Sequence, residues 1–132
     1  MATNKFKGAY GEEIVEWTGN TSTAGATTHT SDIFTIRPSV KIHWLWDGPS
    51  ALTSTASTFS LEWSMDGVEW IGSYVLQAHT TAVNSHGVID PESTADVSNG
   101  VLYRLTYLHG SAEGVARPFK AMIIVPNPNF NE

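Results

Sequence analysis

Apolar and polar residues alternate with a period of two along most of this chain, and helical spacing is nearly absent. Period two sends successive side chains to opposite faces of an extended strand, so each run predicts a strand with one buried face. Val40, Ile42, Trp44 and Trp46 share one face, with Lys41 and His43 on the other. Phe59, Leu61 and Trp63 alternate with Ser60, Glu62 and Ser64. Val68, Trp70, Tyr74 and Leu76 follow, then Val101, Tyr103, Leu105 and Tyr107, then Phe119, Ala121, Ile123 and Val125. Ile14 with Trp17, and residues 33–36, carry weaker versions of the signal. The pattern predicts seven or eight short strands in an all-β, antiparallel two-sheet sandwich.

Turn chemistry adds two hairpins. Asp66-Gly67 offers the positive φ that a tight connection demands, and apolar alternation flanks it on both sides. A second hairpin is expected over residues 109–114, where Gly110 and Gly114 bracket the turn. Residues 18–31, 48–57 and 79–99 lack strand character and read as long loops, the usual seat of binding. Residues 1–8 read as an N-terminal arm. Pro126 and Pro128 cannot donate ladder hydrogen bonds, so residues 125–132 read as an extended C-terminal arm with Phe130 near its tip.

Composition narrows the classes. At 132 residues and 14.3 kDa the chain suits one domain, which buries roughly two-thirds of its unfolded surface. It has no cysteine, so disulfides and thiolate metal sites are out, and a reducing cytosol suits it. Net charge is −6, and the seven basic residues are scattered rather than striped, which argues against a nucleic-acid partner. The longest apolar run, residues 121–125, is far too short to span a bilayer as a helix. The start carries no hydrophobic signal core behind Lys5 and Lys7, so synthesis in a host cytoplasm without export is expected.

Candidate chemistry is thin. Residues 110–114 superficially match a nucleophile elbow, but Ser111 is misplaced and no helix follows. Glu62 and Glu69 could form a glycosidase-like carboxylate pair, yet solvated strand faces commonly carry such residues. His29, His43, His79, His86 and His109 show no ligand-like spacing, although His79, His86 and Asp90 could meet across a loop. No catalytic residue, metal or cofactor is assigned. Asn20-Thr21-Ser22 matches a glycosylation acceptor, which has no use without export.

Five tryptophans are many for this length. Trp44 and Trp46, about 7 Å apart on one strand face, could form a platform on which sugar rings stack. Both lie in phase with aliphatic neighbours such as Ile42, and in-phase aliphatics favour a core position.

Residues 59–70 resemble the Ser-x-Asp-Gly-x-x-Trp hairpin of fibronectin type III, discoidin-like and phage β-sandwich domains. Residues 96–105, ending Gly100-Val101-Leu102-Tyr103-Arg104-Leu105, resemble the approach to a late strand in immunoglobulin-like sandwiches. There the tyrosine packs at a corner and ties its hydroxyl to upstream backbone. Both imply an immunoglobulin-like or jelly-roll sandwich. The whole chain is similar to small capsid-decoration or tail-associated proteins of tailed phages in its start, its Thr- and Ser-rich loops, its acidity and its termini. That resemblance implies a non-enzymatic virion subunit, a capsid-decoration or cement protein binding a major capsid or tail protein and forming a homo-oligomer, of which a trimer is one form. Thr27, Thr28, His86, Asn127 and Phe130 are then the expected partner contacts. The alternative is a carbohydrate-binding module or receptor-binding tail domain, with Trp44 and Trp46 as its platform.

Overall fold

The computed structural model describes residues 2–21, 27–36, 41–48, 57–78, 84–90, 101–109 and 116–127. Among them run nine strands: β1 (Ala2–Lys7), β2 (Glu13–Asn20), β3 (Thr27–Thr30), β4 (Ile42–Asp47), β5 (Thr58–Ser64), β6 (Trp70–Ala78), β7 (Asn84–Ile89), β8 (Leu102–His109) and β9 (Pro118–Val125). They form a five-stranded sheet in the order β1-β2-β9-β4-β7 and a four-stranded sheet in the order β3-β8-β5-β6.

This order decides between the two sandwich types. β2 pairs with β9, β3 with β8, β4 with β7 and β5 with β6, all antiparallel. Such nesting is what results when one long hairpin, closed at the β5–β6 turn, is rolled into two facing sheets. It is a jelly roll, with β1 added at one edge. The immunoglobulin-like alternative is corrected. So is the second hairpin: residues 110–115 lie outside the described residues, but β8 and β9 belong to different sheets and cannot pair.

The first hairpin is present. Met65 to Glu69 joins β5 to β6, with Gly67 at φ 81°. Asp66 accepts from the amides of Val68 (2.8 Å) and Glu69 (2.9 Å), and Ser64 Oγ accepts from the Gly67 amide at 2.9 Å. Those bonds to the ionised form, the Glu69 amide first and the Val68 amide next, lower the Asp66 pKa from its ordinary 3.8.

Strands that were expected as arms or loops have a common location. Residues 2–7, read as an arm, ladder onto β2. The first long loop contains the end of β2 and all of β3, and the third contains β7. β1, β3 and β7 all stand at sheet edges. At the other terminus Val125 still belongs to β9, and Asn127 Nδ2 donates to the Tyr10 carbonyl at 3.3 Å, which ties that end to the β1–β2 turn.

The core follows the alternation. Val15, Trp17, Phe59, Leu61, Leu105, Tyr107, Ala121 and Ile123 are fully buried. Ala121 lies in register between Trp17 and Trp46, its short side chain leaving room for two indoles in one row. Trp46 packs on Phe59 (4.7 Å between ring centres), Tyr107 (4.7 Å) and Phe119 (5.5 Å). Across β5 and β6, Gly72 faces Trp63, and any Cβ there would overlap the indole. Tyr103 is buried beside Phe34, and the two residues exchange backbone hydrogen bonds at 2.8 Å. Burial raises the pKa of its phenol.

Candidate interaction surface

On each strand of the five-stranded sheet, the residues facing away from the core are fixed by the register. Phe6, Ile14, Ile124, His43 and Val88 are mutually in register across β1, β2, β9, β4 and β7. One step along, Asn4, Glu16, Met122, Leu45 and His86 form a second row. Ala2, Thr18, Lys120, Asp47 and Asn84 form a third. Neighbours in such rows have Cβ atoms about 4.5–5.5 Å apart, so each row is a continuous strip.

The strips are graded. The first is apolar except for His43; the second joins Met122 and Leu45 to it; the third is polar apart from Ala2. Phe6 is 45% exposed and Val88 51%, while Ile14, Leu45, Met122 and Ile124 are half-buried. The charge beside them is partly compensated, since Lys120 Nζ lies 3.3 Å from a Glu16 carboxylate oxygen. An apolar field of this kind, rimmed by polar residues, is the usual mark of an interaction site.

The outward side of the four-stranded sheet differs. Its central positions are small and polar, Ser60 and Thr106, and both are buried. Its charges form one cluster: Arg104 Nε donates to Glu62 at 2.7 Å, and the guanidinium stacks on Trp70 at 3.9 Å. Glu62 is therefore a salt-bridge partner, while Glu69 is exposed on the turn. The two do not make a carboxylate pair across a cleft. Among the described residues no three of His, Asp or Glu converge as metal ligands, and His79 lies outside those residues.

The expected contact residues do not converge. His86 is exposed on β7, in the second row of the apolar face, opposite Leu45. Thr27 and Thr28 are on β3 at the edge of the other sheet, opposite His109 and Leu108. Asn127 is engaged at the β1–β2 turn. Phe130 lies outside the described residues. The sugar platform is corrected as well. Trp46 is fully buried, and Trp44 is half-buried against the core, its indole 2.8 Å from where a Cβ on Gly87 would stand. Trp46 presents no open face, and Trp44 points between the sheets with its indole partly covered, so the two form no shared platform.

Phe6, Ile14, Leu45, Val88, Met122 and Ile124 were not foreseen as a group. Their signal was visible: residues 121–125 read Ala-Met-Ile-Ile-Val without a polar interruption, the mark of a strand apolar on both faces. Comparison with family models, with curated proteins and with solved structures finds no match.

Proposed function

We propose that this chain is a non-enzymatic structural subunit of a virion, a capsid-decoration or cement protein docking on a coat lattice. The contact is the outward face of the five-stranded sheet. One observation carries this reading: six apolar side chains lie in adjacent cross-strand rows on a face that nothing among the described residues covers. A half-open apolar field costs solubility, and its retention makes sense when another protein removes it from water.

The surrounding chemistry suits protein rather than a charged ligand. Interface centres are depleted in charge and enriched in Met and aromatics, and the first two rows hold Phe6, Met122 and one charged residue, Glu16. A broad sheet face also matches a lattice of repeated subunits, and symmetric self-association is the common companion of such assembly. The similarity in composition and loops to tailed-phage decoration proteins points to the same class.

The test is reconstitution. Purified protein is added to coat particles that lack it, and particle rupture on heating or chelation is followed. Saturable binding with delayed rupture is expected. Failure to bind any coat or tail lattice removes the proposal.

A further inference from the structure

We infer that the polar end of the same sheet is a binding site for a neutral, hydroxyl-rich ligand, a glycan. A groove of about 630 Å³ opens there, where β2 and β4 end and β9 begins. That volume falls within the roughly 300–1,000 Å³ of small-molecule sites. Its polar lining is Thr18, Asn20, Asp47 and Lys120, with Gly48 leaving backbone open beside them.

The register places Thr18, Lys120 and Asp47 side by side in the third row. No hydrogen bond or ion pair among the described residues uses the side chains of Thr18, Asn20 or Asp47. A hydroxyl, an amide and a carboxylate thus point their hydrogen-bonding capacity at one groove. Together they supply acceptors for two adjacent hydroxyls, a hydroxyl that donates or accepts, and an amide that does both.

Other ligand classes fit worse. An anion would meet Asp47, and the Lys120 ammonium lining the groove is already held by Glu16 at 3.3 Å. A metal ion would find no third carboxylate or imidazole converging among the described residues. A lipid or aromatic ligand would find only Ala2 and Pro118 as open apolar lining, because Phe119 is 3% exposed and turned into the core. A neutral polyol asks for many weak polar contacts in an open groove, and that is what remains. The site is separate from the apolar rows, so it stands whether or not the coat-docking proposal does, and it replaces Trp44 and Trp46 as the place for a sugar.

The experiment titrates the full chain with glucose, galactose, N-acetylglucosamine, lactose and maltose, and with sialic acid and glucose 6-phosphate as anionic probes, following backbone amide resonances. At least one neutral sugar is expected to shift the amides of Gly19, Asn20, Asp47 and Gly48. Asp47→Asn and Asn20→Ala should each weaken that sugar about tenfold or more, with the melting temperature unchanged. No shift with any neutral sugar overturns the inference, as does a response confined to the anionic probes, or binding that both variants leave intact.

Discussion

The two outward faces of this sandwich use side chains in opposite ways. On the four-stranded sheet the central outward residues, Ser60 and Thr106, are polar and yet buried. On the five-stranded sheet the corresponding residues, Ile14, Met122, Ile124 and Leu45, are apolar and yet half-open. Exposure within the chain therefore does not explain the choice on the second face. The difference teaches that an apolar strand face calls for a cover, and under the proposed docking that cover is another molecule. The inward face of the same sheet shows what full cover looks like: Val15, Trp17, Trp46, Ala121 and Ile123 are fully buried under the other sheet.

Substitutions can sharpen that contrast. The largest loss of stability is expected on the covered side: Trp46→Ala should cost about 3–5 kcal/mol, read by denaturant unfolding, because three ring contacts go and a cavity remains. Gly72→Ala should follow at about 1–3 kcal/mol, since its Cβ must displace the Trp63 indole. On the open face, Ile124→Glu should change stability by less than about 1 kcal/mol yet weaken coat binding about a hundredfold or more. Leu108→Glu, at an exposed outward position of the other sheet, should leave binding unchanged. If Leu108→Glu abolished binding while Ile124→Glu did not, the assignment of faces would be reversed.

Much of the inward side was legible in the sequence, and the reason is physical. β4, β5, β8 and β9 each turn one apolar face to the core, so period two is written into them, as with Phe59, Leu61 and Trp63. The edge strands β1, β3 and β7 write no such signal. Thr27-Thr28-His29-Thr30 buries His29 alone, and the side chains of β1 are nearly all exposed, so both looked like arm or loop. The candidate surface was hidden by the same rule. Reading one apolar face per strand assigned Ile123 and Val125 to the core and passed over Met122 and Ile124 between them. Trp70 was misjudged too. It lies half-buried under Arg104 because register shifts in the β5–β6 pairing break the phase that Val68 and Trp70 set up.

Smaller effects test the four-stranded sheet. Glu62→Gln should cost at most about 1 kcal/mol, since the Arg104 ion pair is partly solvated and Trp70 still holds the guanidinium. Asp66 has the mildest signature. Its folded pKa lies below 3.8, so its contribution is present above that value and is lost as pH falls through the folded one. Thermal melts taken from about pH 5 downward should show Asp66→Asn losing less stability with acid than the parent chain, with no change in coat binding.

The measurement closest to the central claim uses two methionines as reporters. Met65 is 59% exposed on the β5–β6 turn, and Met122 stands in the middle of the apolar face. Peroxide oxidation, read by mass spectrometry, should modify both in the free protein, Met65 faster. On coat particles, oxidation of Met122 should slow about tenfold or more while Met65 keeps its rate. Slowing of Met65 with Met122 unchanged would contradict the account and place the contact at the hairpin end of the molecule instead.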